Sequence, residues 1–286
     1  MIIDVHCHAW PDRIAQRALS GRSPQLRRQG DGTVGGLRAA MQDAGVDQAV
    51  VLGIADEARH VDGVNRFVAA QKAAGFLGFG TVHPDLSVEE NLAILSRHGI
   101  RGVKLHTLFQ GFALDDRRMY ELYEAFGSQI AVIAHVGSGG DPEANRRGTP
   151  AMIRRIVQTF PELRLVCCHF GGYHRLDDAE AELLGLDVYL ETSWPPTLAE
   201  IAPRRVKEII GKHGADRIVF GSDWPMADPR AEIAAIRALG LSDEDTGNIL
   251  GGNFLRLLGS AADSRPAAVG GHADVVPGPG DGEGAP

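Results

Sequence analysis

Residues 2–8 have the sequence IIDVHCH, a short apolar run that ends in two histidines separated by one residue. Because side chains alternate between the two faces of a strand, His6 and His8 should share one face, about 7 Å apart along the backbone. Asp4 is expected on that same face and Cys7 on the opposite one. Burying two imidazoles without partners costs free energy, and a bound metal ion removes that cost. The segment therefore predicts a metal site that begins on a first strand.

Further short apolar runs follow along the chain, and amphipathic stretches separate them. Eight strand-then-helix units in succession favour an α/β fold closed as a (β/α)₈ TIM barrel over the open parallel sheet that the same alternation can form. No G-x-G-x-x-G motif follows the first strand, so a dinucleotide-binding open sheet is disfavoured. The predicted strands are residues 2–8, 48–54, 76–82, 102–106, 130–136, 164–169, 188–192 and 217–222.

Apolar residues recur at helical spacing between these runs. Ser87, followed three residues later by Glu90, has the pattern of a capping box at a helix start. The last helical segment is expected to close the ring. The predicted helices are residues 33–44, 61–74, 89–98, 116–126, 150–160, 177–184, 198–213, 230–239 and 243–258.

The composition of this 286-residue chain excludes several kinds of partner. Its formal net charge of -8 argues against nucleic acid, which usually requires a basic face. No apolar run approaches the roughly 18 residues that cross a bilayer. Three cysteines form no disulfide framework, which is typical of a reducing compartment, and a cleaved signal peptide would remove the predicted site. We therefore expect a cytoplasmic protein with a small-molecule substrate; a homo-oligomer is left open.

The composition changes at residue 260. From there to the end of the chain, ten of 27 residues are Gly or Pro and six are Ala. Such a segment cannot bury enough apolar surface to offset the entropy that it loses on ordering. We therefore predict one catalytic barrel domain over residues 1–259 and a disordered tail over residues 260–286.

Later strands also end in side chains that can bind a metal or transfer a proton. His135, His169 and Asp223 each follow an apolar run and precede a loop that contains Gly or Pro. A single His or Asp at such a position often caps the next helix. In a barrel, however, the carboxyl ends of all strands form one ring, where active sites lie. Several such strand ends together therefore predict a catalytic site.

Five segments at the predicted strand ends carry a family resemblance: DVHCH at 4–8, GVKLH at 102–106, AHVG at 134–137, HFGG at 169–172 and FGSDWP at 220–225. With them, the chain resembles the amidohydrolase superfamily, most closely the amidohydrolase-related branch that includes aminocarboxymuconate-semialdehyde decarboxylase. The resemblance covers about residues 1–259. The order and spacing of His-x-His and Gly-Ser-Asp-x-Pro make it specific, whereas Lys-Leu-His alone would be weak.

The resemblance implies a divalent metal centre, with zinc or manganese as the ion. His169 matches a histidine that binds a second metal in two-metal members and acts as an acid or base beside a single metal in others. The remaining implied ligands are His6, His8, His135 and Asp223.

Lys104 bears on whether one ion or two are bound. It lies on the fourth strand, where two-metal members carry a carboxylated lysine that bridges the metals. Alternatively, Lys104 is an uncarboxylated cation that binds an anionic substrate or pairs with Glu191 or Asp4. The sequence leaves both alternatives open.

Three more residues are candidates for substrate binding. His83 and His106 end the third and fourth strands, and Trp194 lies in the loop after the seventh strand. Each of them has an alternative role in loop or core packing. Three further histidines fall within or at the ends of predicted helices and are expected on the solvated surface: His60, His98 and His213.

Two reactions fit such a site. In the first, hydrolysis, a metal-activated water attacks a small amide, lactone or ester, with Asp223 as general base and His169 helping to polarise the carbonyl. In the second, the same residues protonate the carbon of an unsaturated or aromatic acid that loses CO₂. The compact body favours hydrolysis, because decarboxylases of the branch are longer. A purely structural metal is disfavoured, since structural zinc is usually closed by four ligands on local segments.

Overall fold

The structure is a computed structural model that describes residues 1–20 and 28–259. In these residues, eight parallel strands alternate with helices, as predicted. Each strand lies within the range expected from the sequence and is shorter at its ends. The strands are β1 (Ile3–Cys7), β2 (Gln48–Leu52), β3 (Leu77–Phe79), β4 (Gly102–Leu105), β5 (Ala131–Ala134), β6 (Leu165–Cys167), β7 (Tyr189–Glu191) and β8 (Ile218–Val219).

Backbone hydrogen bonds close these strands into a ring. Strands β1–β3 form one ladder and β4–β8 another. Gly80 N–H donates to Gly102 O at 2.9 Å and Lys104 N–H donates to Gly80 O at 2.8 Å, which joins β3 to β4. At the other junction, His8 N–H donates to Trp224 O at 2.7 Å. The architecture is therefore a closed (β/α)₈ barrel rather than an open sheet.

The helices surround this ring. The predicted capping box is present, since Glu90 N–H donates to Ser87 Oγ at 3.1 Å and Ser87 N–H donates to Glu90 Oε2 at 2.8 Å. Within residues 1–20 and 28–259, no helix is long and apolar enough to span a membrane. The α-helices are α1 (Asp12–Ser20), α2 (Val34–Ala44), α3 (Val61–Ala70), α4 (Val88–Arg97), α5 (Thr107–Gln110), α6 (Arg117–Phe126), α7 (Pro150–Thr159), α8 (Leu176–Leu183), α9 (Pro203–His213), α10 (Pro229–Ala238), α11 (Asp243–Gly247) and α12 (Asn253–Gly259).

Some helix boundaries differ from the prediction. Helix α9 begins at Pro203 rather than at residue 198, because a separate 3₁₀ turn covers Leu198–Glu200 and proline is well suited to the first helical position. The segment predicted as one helix over 243–258 is α11 and α12 joined by one π-helical stretch, Asn248–Gly252. Helices α1 and α5 were not predicted. The predicted tail over 260–286 lies outside the described residues.

Strand β1 contains a β-bulge that changes which residues face the barrel interior. Asp4 is aligned with Ala49 and Cys7 with Val51, so β1 has one residue more than β2 between these pairs. Ala49 and Val51 pack in the layer between strands and helices, and Asp4 and Cys7 therefore face that layer. The prediction that Asp4 shares a face with the two histidines of β1 is wrong, because alternation holds only in a regular ladder.

The interior of the barrel below the strand ends is an apolar layer of buried side chains. Helix α12 covers its lower opening with Phe254 and Leu257. Apart from Lys104 of β4, the polar side chains of the site described below lie at the carboxyl ends of the strands, above this layer. Its buried members from the strands and the residues directly after them are Ile3, Val5, Val50, Leu52, Phe79, Ala131, Ile133, Val166, Cys168 and Val219.

His213 is buried, so its predicted position on the surface is wrong. It is 1% exposed at the end of α9, where Nε2–H donates to Val188 O at 2.7 Å and Gly185 N–H donates to Nδ1 at 3.3 Å. The reason is tertiary: the last turn of α9 packs on the segment that leads into β7. Of the other two histidines expected on the surface, His98 is half-buried beside an aspartate and His60 is exposed.

Glu232 of α10 is a buried carboxyl that holds the loop after β7. It is 1% exposed, and its two oxygens accept from Leu198 N–H at 3.1 and 3.0 Å. Burial raises the pKa of Glu232 from 4.5 to about 7. The folded protein therefore favours the protonated form of this group.

This shift predicts a pH-dependent stability. The contribution of Glu232 is fully present below its unfolded pKa of 4.5 and is lost as the pH rises through about 7. Between pH 5 and pH 8, ionisation of Glu232 should lower the free energy of unfolding of the wild type by on the order of 2 kcal/mol. Glu232→Gln cannot ionise, so this decrease should be absent in the variant. Urea unfolding of both proteins at the two pH values measures this difference. An identical pH dependence in wild type and variant would contradict it.

Candidate metal centre

Three side chains, from the ends of the first strand β1 and the last strand β8, converge at the mouth of the barrel. His6 Nε2 lies 3.1 Å from His8 Nε2 and 3.3 Å from Asp223 Oδ1. His8 Nε2 lies 3.4 Å from Asp223 Oδ1. Both histidines are buried, at 1% and 3% exposure. The bulge in β1 and the closure of the ring between β1 and β8 bring these three donor atoms together.

The separations between these donor atoms fit a shared divalent ion. Ligand atoms about 2.1 Å from an ion, at tetrahedral angles, lie roughly 3.4 Å from one another. Imidazole nitrogen and carboxylate oxygen are donors that zinc and manganese both accept. Two imidazole nitrogens in direct contact satisfy at most one hydrogen bond between them, whereas an ion satisfies both lone pairs. The residues present therefore fit a divalent metal.

A second group of possible ligands lies on the opposite side of the His6 ring. It consists of His6, His169 and Glu191, and His6 Nδ1 lies 3.0 Å from Glu191 Oε2. The two nitrogens of one imidazole point in different directions, so His6 cannot direct both at the same ion. The described residues therefore form a divalent metal site around His6, with one possible group of ligands on each side of its ring.

Glu191 was not among the predicted site residues, except as a partner for Lys104. It is the last residue of β7 and is fully buried, and burial raises the pKa of Glu191 to about 7. A signal was present in the sequence, because Glu191 ends an apolar run as the predicted strand-end residues do. This signal is weaker than at the other strand ends, because Thr192 follows Glu191 and no Gly is next to it.

His135 and His169 meet at the ends of β5 and β6. His169 Nε2 lies 3.1 Å from His135 Nδ1. His169 Nδ1 lies 3.1 Å from Ser193 O, which can only accept, so His169 carries its hydrogen on Nδ1. Burial is the main cause that lowers the pKa of His169 well below its ordinary value, and the nearby imidazole of His135 lowers it further. Both effects favour the neutral ring. The ligand role of His135 stays a prediction.

Two of the predicted site residues have left-handed backbone conformations. The φ angle is 60° at His169 and 62° at Asp223. Residues other than glycine adopt this region rarely, and such conformations cluster at functional sites. The residue before Asp223, Ser222, is held by Asp4. Ser222 N–H and Oγ–H donate to the two carboxylate oxygens of Asp4 at 3.0 and 2.6 Å. Asp4 therefore supports the site from outside it.

Lys104 lies inside the barrel next to His6. Its side chain is fully buried, and Nζ lies 3.2 Å from His6 Nε2 and 3.0 Å from Cys168 Sγ. In the part of the chain that the structure describes, Lys104 forms an ion pair with neither of its expected carboxylate partners. Asp4 faces the outer layer because of the bulge, and Glu191 is bound by His6 and Ser193. The carboxylation of Lys104 stays a prediction.

Aromatic rings form one side of the barrel mouth. His106, a predicted substrate-binding residue, stacks on His135 with ring centroids 4.3 Å apart and an angle of 9° between the planes. Phe109 lies 4.3 Å from His106 and is 46% exposed. These three rings, which we call the aromatic arc, lead from the solvent to the histidines of the site.

Trp194 lies on a different side of the site. Its ring is 5.2 Å from that of Tyr173, which in turn is 5.0 Å from the ring of His169. Tyr173 Oη–H donates to Pro195 O at 2.7 Å and so holds the loop that carries Trp194. Trp194 also lines a neighbouring cavity of about 670 Å³ between the starts of α8 and α9. It therefore lies between this cavity and the metal site.

His83 is placed at the end of β3. Its ring packs edge-on against Phe112, with centroids 5.6 Å apart, and Asp85 N–H donates to its Nδ1 at 3.3 Å. The backbone N–H of His83 donates to Asn91 Oδ1 at 3.1 Å. These contacts are typical of a residue that holds a loop, and a substrate-binding role for His83 stays a prediction.

Comparison with known proteins gives a family match. A family model described as "Amidohydrolase" matches residues 3–260. No curated protein matches the chain.

Solved structures match the whole barrel. An uncharacterized TIM-barrel protein from Bordetella bronchiseptica has 23% identity and a TM-score of 0.69 over 91% of this chain and 99% of that one. A dihydroxybenzoic acid decarboxylase from Polaromonas sp. JS666, with bound manganese and the inhibitor 2-nitroresorcinol, has 16% identity and a TM-score of 0.69 over 90% and 96%. A probable 2-pyrone-4,6-dicarboxylic acid hydrolase from Acinetobacter baumannii has 18% identity and a TM-score of 0.65 over 90% and 99%. At these identities, the likeness establishes the fold.

Proposed function

The chain belongs to the amidohydrolase family, and from that membership we propose that it is a metal-dependent decarboxylase of a small aromatic or unsaturated carboxylic acid. The family match over residues 3–260 confirms the resemblance seen in the strand-end motifs. We assign the reaction to a single catalytic domain over residues 1–259. Hydrolysis, which the compact body favoured at first, becomes the second candidate.

The aromatic arc is the observation that carries this proposal. Aromatic rings at the mouth suit a planar conjugated substrate, because an aromatic pair gains about 1 kcal/mol beyond its buried area when the rings pack in an offset or edge-to-face arrangement. The arc begins at His135, which contacts His169, and ends at the exposed Phe109. A planar acid that stacks on it lies against the metal site. The Polaromonas structure supports the same substrate class, because its inhibitor is a substituted aromatic ring.

In decarboxylation, we assign a separate role to each group of the site. A divalent ion held beside His6 and His8 supplies Lewis-acid chemistry, which withdraws electron density from substrate oxygens. Asp223 directs Oδ1 toward His6 and His8, and we assign the transferred proton to its other oxygen. That proton goes to the ring carbon that bears the carboxylate. The C–C bond to the carboxylate then breaks, and its electron pair restores the aromatic ring as CO₂ leaves.

His169 has a supporting part in this proposal. Its Nδ1–H is held by Ser193 O, so Nε2 is the nitrogen that faces the site. We assign Nε2 to accept a hydrogen bond from a hydroxyl group on the substrate ring, which orients the ring for protonation. This role needs a substrate with a hydroxyl beside its carboxylate.

Hydrolysis of a lactone is the second candidate. One comparison favours it, since a probable 2-pyrone-4,6-dicarboxylic acid hydrolase shares the fold. In that reaction Asp223 takes a proton from the attacking water and returns it to the leaving oxygen. The buried cation Lys104 beside His6 would attract the carboxylates of such a substrate.

The two reactions give different products from defined substrates. We expect the manganese-loaded protein to release CO₂ from a dihydroxybenzoate at about 1 s⁻¹ or faster, the lower part of the usual range for enzymes. Unsubstituted benzoate is the matched control, because it lacks the hydroxyl group that His169 would bind. Trapped CO₂ and chromatography of the product measure the reaction. Opening of 2-pyrone-4,6-dicarboxylate without CO₂ release from any aromatic acid would replace decarboxylation with hydrolysis.

A further inference from the structure

We infer that Glu191 and Ser193 act as a positioning pair, which fixes the ring orientation and tautomer of His6 and His169 and thereby sets the metal affinity of the site. The inference rests on the metal dependence in the proposed function and is independent of the reaction that follows. Neither residue needs to touch the ion or the substrate for this role.

Glu191 sits among hydrogen-bond donors only. Its Oε2 accepts from His6 Nδ1–H at 3.0 Å, from Ser193 Oγ–H at 2.9 Å and from His169 N–H at 3.3 Å. Its Oε1 accepts from Ser193 N–H at 2.5 Å. An ionised carboxylate has no donor of its own, so both of its oxygens meet these four donors only as acceptors.

The contact with Glu191 decides which nitrogen of His6 is available to a metal. Because Nδ1–H is held by the carboxylate, the lone pair is on Nε2. That nitrogen faces His8 Nε2 at 3.1 Å and Asp223 Oδ1 at 3.3 Å. A carboxylate on the far nitrogen of a ligand histidine orients the ring and raises its basicity. Glu191 therefore prepares the donor atom without binding the ion.

Ser193 extends the same control to His169. Its hydroxyl donates to Glu191, so its oxygen lone pairs are left to accept from His169 Nδ1–H at 2.9 Å. The Ser193 carbonyl accepts from the same nitrogen at 3.1 Å. Both partners require hydrogen on Nδ1, which leaves Nε2 of His169 for the site. One three-residue segment at the end of β7 thus sets the tautomers of rings from β1 and β6.

The loop after β8 leaves this pair little room to move. A Cβ atom at Gly221 would lie 2.4 Å from Glu191 Oε1 and 2.7 Å from the Cβ of His6. Such distances are below any normal carbon contact, so only glycine permits this approach of the β8 end. The carboxylate is therefore enclosed between β1, β7 and Gly221. A rigid enclosure of this kind is what a positioning residue requires.

Glu191→Gln tests the inference because it keeps the shape and replaces one acceptor with an NH₂ group that opposes the surrounding donors. We expect the dissociation constant for zinc, measured by competition with a chelator, to rise 10- to 100-fold, with as many ions bound at saturation as in wild type. Glu232→Gln is the matched control: Glu232 is equally buried, but its backbone hydrogen bond is to Leu198. We expect its zinc affinity to stay within about twofold of wild type.

Nitrogen NMR of ¹⁵N-histidine in the zinc-loaded protein reports which ring nitrogen carries the hydrogen. A general loss of stability does not change this observable. We expect protonated Nδ1 at His6 in wild type and a mixture of tautomers in Glu191→Gln. Unchanged zinc affinity in Glu191→Gln overturns the inference. Complete loss of the ion at saturating zinc also overturns it, because Glu191 would then be a ligand. If Glu191→Gln does not fold, Ser193→Ala should weaken zinc binding by about tenfold, and unchanged affinity there overturns the inference too. A wild-type protein that binds no divalent ion contradicts the metal dependence itself.

Discussion

Asp223→Asn lowers turnover by a factor on the order of 10³ while leaving the barrel folded, since general acid–base catalysis contributes about 10²- to 10⁴-fold. Asparagine has nearly the same shape and keeps an oxygen that can face His6 and His8, but it cannot carry and release a proton. Both proposed reactions need that proton, because Asp223 would deliver it to carbon in decarboxylation and would take it from water in hydrolysis. The loss is therefore expected whichever substrate is found.

Asp228→Asn is the matched control for this experiment. Asp228 caps α10 a few residues after Asp223, is exposed, and accepts from Arg230 N–H at 3.0 Å. Asparagine caps helices as well as aspartate does, so this variant should keep wild-type turnover. Turnover, metal content and circular dichroism are compared for the three proteins. Undiminished turnover in Asp223→Asn would remove Asp223 from both reactions.

The double variant His6→Ala/His8→Ala loses the divalent ion and, with it, all turnover above background. Of the three donor atoms that converge at the mouth, only Asp223 Oδ1 then remains. The second group of possible ligands also loses His6 and keeps only His169 and Glu191. Neither remainder is expected to hold zinc or manganese at micromolar concentration, since protein sites use at least three such ligands. We expect elemental analysis to find about one ion or two per wild-type chain, and none in the double variant.

Thermal unfolding with and without added manganese gives an independent measurement. An ion that binds only the folded state stabilises it by about 2.7 kcal/mol at 100 times its dissociation constant. This gain should be present in wild type and absent in the double variant. His98→Ala is the matched control, because it removes a half-buried histidine that belongs to none of the groups of possible ligands in residues 1–20 and 28–259. Retention of the ion by His6→Ala/His8→Ala would mean that the ion binds elsewhere.

Features encoded in short stretches of sequence were predicted well. All eight strands and the capping box at Ser87 are found where the sequence placed them, because runs of apolar residues and cap residues act over a few neighbouring positions. His6, His8 and Asp223 do converge, because a barrel gathers strand ends into one ring. The boundaries of α9 were less accurate, since a turn and a helix can share the same apolar spacing.

Contacts between distant segments were not predictable in the same way. The face occupied by Asp4 depends on a bulge in β1, and the alternation of residue types along the strand does not predict that bulge. His213 is buried because the end of α9 packs against the segment that precedes β7. The residue pattern of α9 alone is compatible with a surface position for this histidine. Glu191 was missed as part of the site because its importance comes from β1 and β6, which are far from it in sequence.

By itself, the sequence determined the closed barrel, the family and the polar residues at its strand ends, since strand periodicity and terminal residues are local properties. Only the tertiary structure decided how those residues are used. It showed that Nε2 of His6 faces Asp223 while Nδ1 faces Glu191, and that Lys104 contacts His6 and Cys168 rather than a carboxylate. The physical reason is that ring orientation and tautomer depend on hydrogen-bond partners from other strands, which meet only after the barrel has closed.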